Sequence, residues 1–389
     1  MNKMGGVGGV GGVGGVGGVG GVGGVGSVGG VGSVGGVGGL RNVSDAWNGL
    51  WTEALIAHRD GIVGTWARPR GPTTNLFVDN PEQMERWEPW VRAAVLDIEM
   101  HSNLYFTVQT EDVGNPRRRV RNVATLWHWK RTPTNTPRAT GQRIARIVRP
   151  AVRTFHEQLE FLNGYADLRT DRAGEILAQL TSPIAFWSSV QALQPARHRW
   201  TLELLETALR LANCVEMRFK HALACRRPHE YSPQVQPIIL TPAHGSLPSG
   251  HSTEAHIAAL VLLRLSRRVT SYADRSWRVQ MLRQAARIAV NRTVAGVHFP
   301  VDSMAGQFLG LTLTDYFLAL CGDRTTYDAW LFDGERYPGS QDFTGRELIN
   351  VNTGLRLQPV YALRENAGLG VNRSPLLRWL WSQAAAEWY

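Results

Sequence analysis

Of the 42 basic residues in this chain only three are lysine: Lys3, Lys130 and Lys220. Lys220 opens the stretch KHALACRRPHEY, seven residues before Arg227. Seven residues are close to two helical turns, so a helix through this segment carries both cations along one face. Pro228 then closes that helix. Two cations on one face repel each other unless something anionic lies between them. Taken alone, such a pair reads as a solvated face.

Two further clusters follow. In GSLPSGHSTEAH, Ser249 and Gly250 immediately precede the apolar helical run AHIAALVLLRL. Free backbone N–H groups and the helix dipole favour an anion at such a start. Gly250 lets backbone approach a ligand closely, and His251 falls in the first turn beside it. An ordinary serine cap with a surface histidine is the bland alternative. In NRTVAGVHFPVDS, Arg292, His298 and Asp302 are separated by six and four residues. Pro300 suits the first turn of a new helix. His298 and Asp302 then lie close enough for the carboxylate to fix the imidazole tautomer, leaving the other ring nitrogen as a nucleophile or ligand. The alternative is a buried His–Asp pair that joins two helices.

The ordered set K-x6-R-P, P-S-G-H and R-x5-H-x3-D, from residue 220 to 302, resembles the signature of the superfamily of type 2 phosphatidic acid phosphatases and vanadium-dependent haloperoxidases. One departure is Asn291, where that pattern usually has serine before the arginine. The resemblance implies a helical-bundle fold and a tetrahedral oxyanion, phosphate or vanadate. The anion would be held by Lys220, Arg227, Arg292, the Ser249 hydroxyl and the Gly250 N–H. Arginine offers a planar fork, whereas lysine supplies a compact point charge that reaches one oxygen.

The resemblance implies two chemistries at one site. In a phosphatase, the residue matching His298 attacks phosphorus and forms a phosphohistidine, with Asp302 orienting it. The residue matching His251 protonates the leaving alcohol and then activates water. In a haloperoxidase, His298 would bind the vanadium of a vanadate cofactor, with His251 as acid–base, Lys220 polarising peroxide and halide as the reductant. His244, five residues before Ser249, matches the offset of a histidine in bromide-oxidising members. With no span and no signal peptide legible, the soluble, long, helical chain resembles the bacterial haloperoxidase branch, and that is the main expectation. A soluble phosphatase acting on a phosphomonoester, which needs no cofactor, is the alternative. A phosphate-binding protein without turnover comes third.

These residues need helices to position them, and helical spacing dominates the sequence. The reading is an all-α helix bundle, with helices near 44–61, 80–106, 138–163, 172–181, 199–226, 252–269, 276–291 and 301–321. Residues 112–136 are polar and rich in proline and arginine, and read as a loop. The chain ends in SPLLRWLWSQAAAEWY, a short helix whose tryptophan face is a candidate homodimer contact. The domain reading is a disordered Gly/Val repeat over 1–40, an N-terminal helical region over 41–170, the oxyanion core over 171–325 and an extension over 326–389. His101, His128, His221 and His256 read as structural, and Glu254 as a solvated first-turn carboxylate.

Composition narrows the partners. Net charge is +10, yet the arginines are scattered rather than blocked, which does not make a nucleic-acid surface. The three cysteines, Cys214, Cys225 and Cys321, are widely spaced and form no CxxC pair, consistent with a reducing cytoplasmic compartment. No stretch reaches the roughly 20 apolar residues of a membrane helix. The expected partners are small molecules: peroxide and halide, or a phosphoester.

Overall fold

A computed structural model describes residues 49–68, 71–72, 74–112, 120–132, 138–181, 183–266 and 274–388. The Gly/Val repeat of residues 1–40 and the expected helix start at Ser44 lie outside the described residues. The chain divides into two compact units, residues 1–92 and 93–389.

The first unit contains α1 (Gly49–Ile62), exposed from Thr52 to its end, and a 3-10 turn over Pro81–Arg86. Asn80 starts that turn by accepting a hydrogen bond from Glu82 N at 3.1 Å, with Pro81 in the first position, where its missing N–H costs nothing. Met84 is buried, and Arg92 Nη1 donates to its carbonyl at 3.1 Å.

The second unit corrects the all-α expectation. After α2 (Pro89–His101) the chain forms β1 (Leu104–Asp112), β2 (Val120–Thr132) and β3 (Arg138–Val148), where sequence spacing indicated helix and loop. With β4 (Tyr327–Asp333) and β5 (Ala362–Leu369) they make a five-stranded mixed sheet in the order β1-β2-β3-β4-β5. Only the β3–β4 pair is parallel, Ala145 lying opposite Trp330. The physical reason for the misreading is specific. β3 is a central strand, and its buried Ile144, Ile147 and Val148 fall at i, i+3 and i+4, as a helix face would. A strand covered on both faces gives an apolar run without alternation, and Ala145 and Arg146 between those positions, with Gln142 and Arg143 before them, favour helix. In β2 the polar flanks hide VATLWHW, whose Trp127 and Trp129 stack on Tyr105 of β1 at 5.7 and 4.6 Å. Such cross-strand aromatic pairs stabilise a sheet.

The remaining helices are α3 (Val152–Tyr165), α4 (Arg169–Ala178), α5 (Ile184–Gln191), α6 (Arg199–Leu223), α7 (Gly250–Ser266), α8 (Asp274–Val294), α9 (Pro300–Leu320) and α10 (Pro375–Ala386). The sheet packs on α9 and α6, so the helical layer that carries the motif has a β layer behind it. α9 is apolar nearly all round and is buried along its length except at Asp315. Two glycines set it against α7. A Cβ on Gly306 would lie 2.5 Å from Ser249 O, and one on Gly310 would lie 2.6 Å from Thr253 O. With bare backbone at both positions, Ser249 N donates to Asp302 O at 2.9 Å and Ser252 Oγ to Ser303 O at 2.7 Å. The C-terminal tryptophans are buried within the chain: Trp379 meets Trp200 of α6 edge-on, and Trp388 Nε1 donates to Thr201 Oγ1 at 2.9 Å.

Candidate oxyanion site

Helix α6 delivers Lys220 in its last turn and stops at Ala224, whose left-handed backbone (φ 48°) returns an N–H to Lys220 O at 3.0 Å. Lys220 is 2% exposed. Its Nζ donates to Ser246 O at 3.2 Å and to Pro248 O, so the lysine also holds the loop that leads into α7. Burial lowers its pKa to about 8, while the Glu216, Asp302 and Glu254 charges oppose that and Arg227 adds to it.

Arg227 lies just past α6, buried at 3% exposure. Its Nε donates to His244 O at 3.0 Å, Nη1 to Val297 O at 2.9 Å, and Nη1 also to His298 Nε2 at 3.1 Å. Arginine can only donate, so Nε2 of His298 is the unprotonated nitrogen. Its Nδ1 lies 3.2 Å from Asp302 Oδ2 and carries the ring proton. That same oxygen accepts from Phe299 N at 2.9 Å and from Ser246 Oγ. The tautomer is therefore fixed from one side by a carboxyl and read from the other by a guanidinium. Burial pushes His298 well below the usual imidazole range, with Arg227 and Lys220 acting in the same direction. Burial raises Asp302 to about 6, opposed by its hydrogen bonds from Ser246 and Phe299 and by the two cations.

At the other end of the site, α8 supplies Arg292 and α7 supplies His251. Arg292 is 1% exposed; its Nη2 donates to Gln179 Oε1 at 2.9 Å and to Ile176 O at 3.3 Å, while its Nε has no partner among the described residues. His251 Nε2 lies 3.1 Å from Gln179 O and 3.5 Å from Arg292 Nη1. A carbonyl accepts and a guanidinium donates, so one nitrogen cannot satisfy both; the shorter contact places the proton on Nε2. Burial first, then Arg292, lowers the His251 pKa to about 3.

Gln179, just after α4, carries no motif signal in the sequence, yet it joins this end together. Its Oε1 also accepts from Asn291 Nδ2 at 3.0 Å, and Arg172 Nη1 donates to Asn291 Oδ1 at 3.0 Å. The departure at Asn291 thus has a partner: a longer amide reaches what serine could not. Glu175 braces the same helix, accepting from Arg287 of α8 at 2.7 Å. Ser246 is a second residue that sequence reasoning passed over. Its only sequence signal is its place three residues before Ser249.

Ser249 and Gly250 sit where expected, at the start of α7. Ser249 is buried; its carbonyl accepts the first helical bond from Thr253 N at 3.1 Å, and its Oγ is 3.5 Å from Ser252 N. His244 is exposed and reaches Arg227, its Nδ1 lying 3.0 Å from Nη2. His256 is buried in the core, with Nδ1 2.7 Å from Ser252 O, and His128 is buried against the Tyr316 hydroxyl at 3.0 Å. Glu254 differs from expectation: it is half-buried and bonded to Asn213, and burial raises its pKa. The three cysteines are free.

Three cations thus converge with two neutral histidines in a buried setting. Buried charge of one sign is costly unless a counter-charge is supplied, and the residues fit a tetrahedral oxyanion such as phosphate or vanadate. The orphaned Arg292 Nε, a buried donor without a partner among the described residues, is the observation that carries this fit.

Residues 202–325 match the family model described as the PAP2 superfamily, and this part of the chain is a PAP2 superfamily domain. Among solved structures, one similarity is to "the first transmembrane PAP2 type phosphatidylglycerolphosphate phosphatase from Bacillus subtilis". It is 19% identical, with a TM-score of 0.26, over 40% of this chain and 72% of that one, too slight to argue from. Curated protein sequences give no match. Among the described residues, no helix is long and apolar enough to cross a membrane.

Proposed function

We propose that the chain is a PAP2-type phosphatase that hydrolyses a phosphomonoester through a phosphohistidine at His298. The observation that carries this reading is the fixed tautomer of His298: Nδ1 faces Asp302 and the lone pair of Nε2 faces the guanidinium of Arg227. The match of residues 202–325 to the PAP2 superfamily model fits this choice. Lys220, Arg227 and Arg292 would hold the phosphoryl oxygens. Nε2 forms a bond to phosphorus while the bond from phosphorus to the leaving oxygen breaks, and His251 gives that oxygen a proton. His251 is held low in the unliganded site by burial and by Arg292; a bound dianion offsets the guanidinium and moves its pKa back up. Water then attacks phosphorus, His251 takes its proton, and Nε2 leaves. Asp302 keeps Nδ1 protonated throughout and stabilises the imidazolium character that develops.

A second reading, the vanadate-dependent haloperoxidase first expected from the sequence, is favoured by one observation: His244 lies against Arg227, at the rim of the same site. Vanadate would be held by the same cations with His298 as its protein ligand, and it would supply Lewis-acid activation of peroxide. A paired assay decides. Purified, phosphate-free protein is given a chromogenic phosphomonoester, and separately vanadate, hydrogen peroxide and bromide with a halogen acceptor. The phosphatase reading expects hydrolysis that vanadate inhibits and halogenation no faster than with free vanadate. Vanadate-dependent halogenation that phosphate inhibits, without ester hydrolysis, overturns it.

A further inference from the structure

One buried carboxyl near the cations takes no part in the mechanism above. Glu216 lies one turn before Lys220 on α6 and is 1% exposed. It occupies the space beside the Gly250 backbone: a Cβ on that glycine would lie 2.4 Å from Glu216 Oε1 and 3.3 Å from Oε2. Oε2 is buried and has no hydrogen-bond partner among the described residues. The charged groups that act on Glu216 are Lys220 on its own helix, Arg227 beyond the helix end and Glu254 on α7. Asp302, from α9, acts on the same Lys220. The carboxyl therefore lies behind the backbone that would meet the anion, within the field of two of the cations that would bind it.

This placement creates a competition. Above its transition Glu216 is ionised in the empty site and is a counter-charge for Lys220 and Arg227. A dianion arriving at the same cations displaces it from that role, and the buried pocket then holds two groups of like charge, which a low dielectric disfavours strongly. We propose that Glu216 takes up a proton from solvent when a dianion enters the site and releases it when the anion leaves, so that oxyanion binding is proton-coupled through this residue. The balance is simple: one proton passes from water to Oε2, no covalent bond to the ligand forms, and no redox partner is needed. The unpartnered Oε2 can accept that proton without breaking a hydrogen bond. Burial first, then the Glu254 charge, raise this carboxyl well above the usual range, and the Lys220 and Arg227 charges only partly oppose that in the empty site. The consequence is that dianions bind more tightly as pH falls through the Glu216 transition. Glu216 acts through the binding residues and is a positioning residue.

The inference rests on the oxyanion-site reading, and the test separates the two. Sulfate is the probe, because it remains a dianion near neutral pH and carries no titration of its own. Calorimetric titration of the full chain in two buffers of different ionisation enthalpy reads the protons taken up. Above the Glu216 transition the wild type is expected to take up about one more proton per sulfate bound than Glu216→Gln does, any proton taken up by His251 being common to both. Sulfate binding without proton uptake in the wild type overturns the inference and leaves the oxyanion site standing. Uptake in Glu216→Gln equal to that of the wild type also overturns it, by placing the proton on a histidine, on Lys220 or on Asp302. No sulfate binding at all overturns both. If Glu216→Gln does not fold, sulfate-induced infrared difference spectra decide: a new protonated-carboxyl band that persists in Asp302→Asn and in Glu254→Gln is required, and imidazolium bands alone, or a carboxyl band lost in either variant, sink the proposal.

Discussion

The two histidines of the site are held in opposite ways. His298 is oriented by Asp302, four residues along the chain, and both belong to the tight start of α9. His251 is oriented by the carbonyl of Gln179, 72 residues away on the chain leaving α4. The first arrangement is local, so helical geometry enforces it once α9 forms. The second is assembled from three separate segments, and it also sets the partner of Arg292. The nucleophile end of the site is therefore built into one motif, whereas the acid–base end depends on how α4 packs on α8. Sensitivity to remote change should be concentrated at the second end.

The largest expected effect lies at the local end. His298→Ala removes the nucleophile and should lower kcat on a phosphomonoester by on the order of 10⁴-fold or more. An acid quench should trap phosphorylated wild-type protein but none of the variant. A variant that retains activity within tenfold would place the nucleophile elsewhere and erase the contrast between the two ends.

Next comes the pH dependence. Asp302 is held up at about 6 by burial, so below that pH its carboxyl is protonated and no longer accepts from Nδ1. Activity should fall on the acid side, and Lys220, lowered to about 8, should lose its charge and the anion's grip on the alkaline side. The kcat/KM profile is expected to be bell-shaped with limbs near those two values. Asp302→Asn should lose about 10²-fold in rate and flatten the acid limb. A variant that keeps the same acid limb would assign it to another group. Folding carries a related sign: because the folded-state pKa of Asp302 is raised, its protonated form favours the fold, and that contribution is lost as pH rises through about 6.

The smallest effect separates the two ends directly. Gln179→Leu leaves the backbone carbonyl in place but removes Oε1, which accepts from Arg292 and Asn291. A loss of about tenfold in kcat/KM is expected, with KM for the phosphoester rising as Arg292 loses its brace. The acid limb set by Asp302 should not move. A shift of that limb would show that the two ends of the site are coupled more tightly than their separate partners indicate.

The same division between local and remote explains what could be read from the sequence. The seven-residue step from Lys220 to Arg227, the serine and glycine before α7, and the four-residue step from His298 to Asp302 are short-range spacings, and α6, α7 and α9 begin or end within a few residues of where those spacings put them. Gln179 and Ser246 escaped notice because their partners are 113 and 56 residues away. The sheet escaped for a related reason. β3 pairs with β4 nearly two hundred residues later, and burial on both faces removes the alternation by which a strand is recognised. Glu216 had no local signal either. It is one charged residue in an amphipathic helix until Gly250 is packed against it.

By itself, the amino-acid sequence determined which side chains could do chemistry, because residue type and helical spacing decide which of them share a helix face. It also determined the helices that carry them, where apolar periodicity, proline and glycine act over one or two turns. Only the tertiary structure decided that a mixed sheet backs those helices and that Gln179 orients the second histidine. It likewise put a buried carboxyl behind the anion-binding backbone. Those outcomes depend on which distant segments come within hydrogen-bond or van der Waals distance, and that is settled by close packing of the whole core rather than by any stretch of it.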